Sequence, residues 1–186
     1  MSVRLLVVDA RSQKDAAALG RFIADRSPHV VCVQHAPHRL RWRSLCGRLA
    51  RLSGLVVVSG GRAAGANLIL STLGVDVVQT WDTKVGAVAR LSLSGVEFAV
   101  AATSLDADEL TSSTSLKAAL AVVEGLPVIR TGRSETVLAD DGIEITRGEE
   151  RRGSDGGAVV VIVAVRPQPG DQQAAGDEHA AHPEQQ

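Results

Sequence analysis

Aromatic residues are scarce in this chain of 186 residues. It has no tyrosine, two phenylalanines and two tryptophans, which together make 2% of the sequence. Because aromatic side chains normally contribute the largest buried areas, the core has to be built from Val, Leu, Ile and Ala. The hydrophobic content of 45% allows this, and the length suits one domain with a sizeable core.

Cysteine, net charge and long apolar runs are also limited. The two cysteines, Cys32 and Cys46, form no CxxC pair, which argues against a disulfide framework or a zinc site and favours buried thiols. The net charge of -1 argues against a surface that attracts nucleic acid everywhere, but permits a local basic patch. The apolar runs are too short for a signal peptide or a membrane span. We therefore expect a cytoplasmic protein without membrane contact.

Two short apolar runs each end in polar residues. Val3 to Asp9 is one, and Val30 to His35 is the other, ending in Gln34 and His35. Their β-branched residues and short length favour strands, and residues 14–26 between them have helical spacing. Such a β-α-β unit implies parallel strands with Asp9 and His35 at the same end, where sites gather in open α/β sheets. Alternatively, Gln34 and His35 only cap a strand.

The helical pattern over residues 37–53 is strongly basic. Its five arginines are Arg39, Arg41, Arg43, Arg48 and Arg51. They form either a solvated surface or a contact for phosphate, nucleic acid or an acidic partner. The glycine-rich segment 60–65 lacks the Gly-Lys-Ser/Thr ending of a phosphate-binding loop and leads into a strand, so it is interpreted as a flexible connection.

The remaining pattern is mainly β. Strands are predicted over 55–58, 66–71, 75–80, 85–93, 96–102, 127–129, 136–139, 143–146 and 158–166, with a helix over 107–124. The Ser94-Gly95 pair is typical of a hairpin turn, so parallel and antiparallel pairing are mixed. Residues 167–186 have no apolar pattern and are predicted to be a disordered polar tail, which leaves one domain over residues 1–166.

Six segments in this order resemble the endonuclease/exonuclease/phosphatase family. They are Leu6 to Arg11, Val31 to Ala36, Gly65 to Ser71, Ala102 to Asp106, Pro127 to Glu135 and Gly153 to Gly156. They stand where that family has a strand ending in Asn, a strand ending Gln-Glu, an Ile-Leu-Ser strand, Thr-His-Leu, Gly-Asp-x-Asn and Ser-Asp-His. The resemblance implies a DNase I-like α/β sandwich of mixed sheets flanked by helices.

The resemblance also implies metal-assisted hydrolysis of phosphoric esters with Mg²⁺ or Mn²⁺, yet the family's residues are largely replaced. The metal-binding Glu is replaced by His35, the first Asn by Asp9, a catalytic His by Ser104, the water-orienting Asp by Arg133, its Asn by Glu135 and the final His by Gly156, while Asp155 is unchanged. An arginine can neither accept the proton of water nor bind a cation. We expect Arg133 to pair with Asp155 or Asp9.

Three functions follow from this comparison. The first is a pseudoenzyme that keeps the hydrolase fold and binds a protein or nucleic acid without a cofactor. The second is an active metal-dependent phosphodiesterase in which Asp9, Asp155 and either Glu135 or Asp106 rebuild the site, with His35 and Mn²⁺. The third is a nucleic-acid-binding module that uses the basic helix. A family segment that follows the Gly-Asp-x-Asn position is also predicted to be missing after Glu135.

Overall fold

The computed structural model describes residues 1–11, 16–36, 42–133, 136–140, 143–153 and 156–165. The strands are β1 (Ser2–Asp9), β2 (Val30–Gln34), β3 (Val56–Gly61), β4 (Asn67–Ser71), β5 (Asp76–Thr83), β6 (Gly86–Leu93), β7 (Val96–Thr103), β8 (Val128–Gly132), β9 (Thr136–Ala139), β10 (Ile143–Gly153) and β11 (Gly156–Val165). The helices are α1 (Ala16–Ala24), α2 (Trp42–Ser53), α3 (Ala107–Ser112) and α4 (Thr114–Leu120), with 3₁₀ turns at Arg62–Ala64 and Ala121–Val123.

The strands form two mixed sheets. One has the order β10-β11-β1-β2-β4-β3 and the other β5-β6-β7-β8-β9. Each contains one parallel pair, β1 with β2 and β7 with β8, whose strands are connected through α1 and through α3 and α4 respectively. A parallel pair needs such a long connection. The predicted β-α-β unit is therefore confirmed.

Alternation along the strands divides the core into layers. Leu5 and Cys32 point between the sheets, where they meet Phe98 of β7. Leu6 and Val31 point outward, towards α1 and α2. The outer face of the second sheet is covered by α3, α4 and the turn after α4. The predicted layered sandwich of mixed sheets flanked by helices is thus confirmed, with aliphatic side chains filling nearly all of its core.

The glycine-rich segment is packed closely, so its interpretation as a flexible connection was wrong. Gly60 and Gly61 belong to β3 and have φ values of 114° and 100°. A Cβ on Gly61 would lie 2.7 Å from Cε3 of Trp42, and one on Gly60 would lie 2.8 Å from Cα of Leu68. These glycines are needed for close approach and left-handed backbone, which a sequence cannot distinguish from flexibility.

The predicted helix over 107–124 divides at Ser113. The Ser113 hydroxyl accepts a hydrogen bond from the Leu116 amide at 3.3 Å and so starts α4 as a new helix. At the start of α3, Asp106 accepts from the Glu109 amide at 2.9 Å, and the Glu109 carboxylate accepts from the Asp106 amide at 3.1 Å. Local side-chain bonds of this kind compete with helix continuation.

Both cysteines are buried free thiols, as predicted. Burial raises the pKa of Cys32 to about 12, although a hydrogen bond with Thr131 opposes the increase. Because the thiolate is the reactive form, Cys32 is unreactive at neutral pH. Within the described ranges no helix has the length and apolar character that a membrane span requires.

Candidate functional site

The candidate site lies where the parallel strands of both sheets end. Asp9 and Gln34 are paired at the carboxyl ends of β1 and β2, and both occupy the inward phase of their strands. Asn67 begins the neighbouring strand β4 in the same phase as Ile69, which is in the core between the sheets. His35 lies beside Asp9, with its Nδ1 3.2 Å from Oδ1 of the carboxylate. The predicted juxtaposition of Asp9 and His35 is confirmed.

Asp9 is held mainly by Arg11, two residues along the chain. The carboxylate is only 3% exposed, and it accepts from the Arg11 amide at 2.9 Å and from Nε of Arg11 at 2.8 Å. Burial raises the pKa of Asp9, but the hydrogen bonds from Arg11 and the positive charges of His35 and Arg11 together outweigh it and hold the pKa below its usual value. Asp9 is therefore an ionised, neutralised carboxylate.

His35 turns the chain sharply at the end of β2. Its φ of 51° lies in the left-handed region, which costs a residue other than glycine roughly 1–2 kcal/mol. The Ala36 amide then donates to the Ala66 carbonyl at 2.6 Å. Nδ1 of His35 is buried and makes no aligned hydrogen bond among the described residues, so it lies close to the Asp9 carboxylate without the geometry of a hydrogen bond.

Gln34 connects the two sheets. It is completely buried, and its Nε2 donates to the carbonyl of Gly132 at the end of β8. Its Oε1 is buried and has no hydrogen-bond partner among the described residues. The Arg133 amide donates to the Leu105 carbonyl at 2.6 Å. The strand end that resembles the family's Gly-Asp-x-Asn position is therefore attached to both β2 and the segment after β7.

Asn67 makes a second connection between the sheets. Its Nδ2 donates to the Ala64 carbonyl at 2.9 Å and lies 3.4 Å from the Gly65 carbonyl. Its Oδ1 accepts from the Ser104 hydroxyl at 2.9 Å. Asn67 lies within the segment Gly65 to Ser71 that resembles the family, but the sequence predicted no role for it. A polar amide in the inward phase of an apolar strand was the available signal.

Arg133 does not pair with Asp9, and its other expected partner, Asp155, lies outside the described residues. Arg133 is exposed, and its guanidinium forms no ion pair among the described residues. Asp9 is instead paired with Arg11 and His35. Arg11 was missed because an arginine beside a strand end has no distinctive spacing. The strands β8 and β9 are separated by residues 133–135 only, in keeping with the predicted loss of a segment there.

Several predicted site residues lie outside the described residues. These are Glu135, Asp155, Arg39 and Arg41. The same is true of residues 166–186, which include the predicted tail. The other helix arginines, Arg43, Arg48 and Arg51, are exposed on α2, away from the inward-facing cluster. These arginines therefore lie on the outer side of the helix, while the first residue of α2, Trp42, packs on Gly61, which is paired with Asn67.

The described residues at this edge do not fit a hard divalent cation. No three His, Cys, Asp or Glu side chains in the described part of the chain are grouped to hold a metal. Mg²⁺ prefers several oxygen ligands, but both oxygens of Asp9 are occupied by Arg11 and the adjacent side chain is an imidazole. Asp106, considered for a rebuilt carboxylate site, is the N-cap of α3.

We expect Asp9→Asn to destabilise the protein by about 1–3 kcal/mol at pH 7, because a buried charged hydrogen-bond acceptor is removed. A carboxyl whose pKa is lowered by folding contributes stability above its unfolded pKa of about 3.9, and this contribution is lost as the pH falls through the folded pKa. The difference between the variant and the parent should therefore be present above about pH 5 and shrink below about pH 4. Urea unfolding at several pH values measures it.

Asp25→Asn is the matched control, since Asp25 is exposed after α1. It should change the unfolding free energy by less than about 0.5 kcal/mol. An Asp9→Asn penalty that is as large at pH 3 as at pH 7, or larger, would contradict the assignment of Asp9 as a charge stabilised by folding.

Comparison with known proteins finds similarity in structure only. No family model matches the chain, and no curated protein matches it. The endonuclease domain of TRAS1, a telomere-specific non-LTR retrotransposon, superposes with a TM-score of 0.55 at 13% identity, over 89% of this chain and 99% of that one. TDP2 from Caenorhabditis elegans gives 0.52 at 12% identity, over 89% of this chain and 65% of that one. This chain thus spans about two thirds of that TDP2 chain.

Beta toxin from Staphylococcus aureus, solved with bound magnesium ions, gives a TM-score of 0.50 at 11% identity, over 73% of this chain and 66% of that one. These proteins share the DNase I-like fold of the endonuclease/exonuclease/phosphatase proteins. The chain described here has this fold as well, as its strand order and layers indicate. At these identities the similarity establishes the fold alone.

Proposed function

We propose that this protein is a DNase I-like-fold pseudoenzyme, which binds a partner and does not hydrolyse phosphoric esters. The observation that carries the proposal is the set of contacts at the strand ends, where the polar side chains bond to one another. Asp9 is bound by Arg11, Asn67 by Ser104, and Gln34 binds the Gly132 carbonyl. Atoms engaged in this way are not free to orient water or hold a cation, whereas Oε1 of Gln34 and Nδ1 of His35 have no hydrogen-bond partner among the described residues.

The chemistry of the replaced positions supports the same proposal. Hydrolysis in this fold requires an oxygen ligand for the cation and donors for the charge that develops in the transition state. A histidine in place of the metal-binding carboxylate is a softer ligand that favours other metals. A serine in place of a histidine cannot supply a proton near neutral pH, and removal of one such group commonly costs about 10²–10⁴-fold in rate.

The alternative is a phosphodiesterase with an altered metal site. The structural neighbours named above include an endonuclease and a toxin with bound magnesium, so the fold itself is compatible with metal-dependent chemistry. For this chain the alternative requires Asp9 to leave Arg11 and join Asp155 or Glu135. That rearrangement would cost Asp9 its two hydrogen bonds from Arg11.

Calorimetric titration with Mg²⁺ and Mn²⁺, combined with an assay on bis-p-nitrophenyl phosphate, tests the proposal. We expect no saturable metal binding and no hydrolysis above the rate without protein, whereas an active DNase I-like nuclease measured in parallel should give both. Mn²⁺-dependent hydrolysis that Asp155→Ala abolishes would overturn the proposal and establish the altered phosphodiesterase. Activity that Asp155→Ala leaves unchanged would indicate a contaminating enzyme and require repurification before the comparison is repeated.

A further inference from the structure

The outward face of α2 carries three arginines. Arg43, Arg48 and Arg51 are exposed. The side of the helix that faces the sheet holds Cys46, Leu49, Ala50 and Ser53, all buried. At 3.6 residues per turn the three arginines fall within a sector of about 140°, and Arg43 and Arg51 are about 12 Å apart along the axis. They therefore form one surface on one side of the helix.

Acidic residues do not balance this charge. α2 contains no aspartate or glutamate, and among the described residues none of its arginines forms an ion pair. The guanidinium of Arg43 makes a cation–π contact with the ring of Trp42, whose centroid is 5.4 Å from the guanidinium carbon. The whole chain has a net charge of -1. Positive charge is therefore concentrated on α2, and negative charge lies elsewhere in the chain.

The neighbouring helix extends the same surface. α1 and α2 cross at Gly20 and Leu52, so closely that a Cβ on Gly20 would overlap the Cβ of Leu52. Arg21 follows Gly20 and is exposed, and Arg51 precedes Leu52. The helix crossing thus places a fourth exposed arginine, distant in sequence, on the helix next to α2, with the exposed Asp25 four residues after it. We call Arg21, Arg43, Arg48 and Arg51 the arginine face.

We infer that the arginine face binds the phosphate backbone of duplex nucleic acid without reading its sequence. Guanidinium groups bind phosphate in a planar, two-point geometry and remain charged at all relevant pH values. A duplex presents about one negative charge per 1.7 Å of its axis, so the whole length of the arginine face can meet phosphates. The inference deepens the proposed function and rests on it, because it names the partner of a protein that binds without cutting.

Other acidic partners fit this surface less well. A helix that lies on a lipid surface inserts large apolar side chains, but the only large apolar side chain recorded as exposed on α2 is Leu52, at 36% among the described residues. Single-stranded nucleic acid is bound largely by stacking on exposed aromatic rings. Here Trp42 is half-buried, and Phe22 is covered by the Arg26 guanidinium, 3.7 Å from its ring centroid.

The experiment is fluorescence anisotropy with a labelled 20-base-pair DNA duplex and the full chain, from 25 to 200 mM NaCl. We expect a Kd of about 1–100 µM near physiological salt, as for sequence-independent binding. Four phosphate contacts predict that log K falls with log[salt] with a slope of about -3.6. Competition by an unrelated duplex sequence should be equally effective.

Charge-removing variants locate the surface. Arg48→Gln/Arg51→Gln should weaken binding about tenfold or more and reduce the magnitude of the slope by about 1.8, and Arg21→Gln should reduce it by about 0.9. Lys117→Gln is the matched control, because Lys117 is exposed on α4, which covers the other sheet. It should leave both the affinity and the slope unchanged. Circular dichroism and thermal melting should show that every variant is folded.

Four results would overturn the inference: no binding at 25 mM NaCl, an effect of Lys117→Gln equal to that of the arginine variants, binding lost on Arg133→Gln alone, or preferential binding of vesicles of phosphatidylcholine and phosphatidylserine. Gel analysis of the duplex after incubation with Mg²⁺ or Mn²⁺ separates this inference from the proposed function. A duplex that stays intact but does not bind would contradict the inference about the arginine face alone. A duplex that is cleaved would contradict the proposal of a pseudoenzyme.

Discussion

Gly132→Ala should destabilise the protein by about 3 kcal/mol, at the upper end of the usual cost of overpacking. A Cβ at this position would overlap the Leu105 carbonyl oxygen and lie 2.7 Å from Cδ1 of Leu110. The carbonyl cannot easily move away, because it accepts a hydrogen bond from the Arg133 amide. For a chain of this size the change corresponds to a decrease in Tm of about 6–12 °C, measurable by thermal and urea unfolding.

Gly47→Ala provides a control with the opposite sign. Gly47 lies within α2, and a Cβ there would meet no atom within 4 Å. Because alanine is favoured over glycine in a helix interior, this variant should gain about 0.5–1 kcal/mol. A Gly132→Ala protein as stable as its parent would show that the end of β8 is loosely packed, contrary to the closed arrangement at the strand ends.

Asn67→Ala should cost about 3 kcal/mol as well. The substitution removes a completely buried side chain and leaves the Ala64 carbonyl and the Ser104 hydroxyl without their partner. Each buried polar group that loses its hydrogen bond costs about 1–3 kcal/mol, and the side-chain volume lost adds a smaller penalty. Equilibrium urea unfolding measures the sum.

Ser104→Ala isolates the contact between the two sheets. It removes only the hydroxyl that donates to Asn67. Because Ser104 is half-buried, a water molecule can partly replace this hydroxyl as the donor to Asn67. We expect a loss of about 1 kcal/mol in the parent and almost none in the Asn67→Ala background, so that the double-mutant cycle gives a coupling of about 1 kcal/mol. Additive losses would mean that the two side chains do not interact in solution.

Charge is arranged differently at the strand ends and on the arginine face. At the strand ends, charge is neutralised locally, as in the pair of Asp9 and Arg11. On α2 the three exposed arginines have no ion pair among the described residues. Since electrostatic attraction to a polyanion depends on net local charge, an association would be directed to the helices.

Much of the fold could be predicted from the sequence, because its signals are local. The alternating and β-branched runs placed β1, β2 and β4 within a residue or two of their observed bounds, and the helical spacing between β1 and β2 predicted their parallel pairing. Errors arose where one signal has two physical causes. Gly60 and Gly61 suggested flexibility but serve close packing, and the Ser/Thr residues around Ser113 divide a predicted helix.

The sequence by itself determined that Asp9 and His35 meet at the end of a parallel pair, and that the residue types of an active hydrolase are replaced there. Only the tertiary structure decided what those residues contact. Gln34 and Gly132 are 98 positions apart in sequence, and Asn67 and Ser104 are 37 apart. Such contacts depend on how two sheets pack face to face, and no local periodicity encodes that distance. The same holds for Arg21, which joins the arginine face only because Gly20 lets two helices touch.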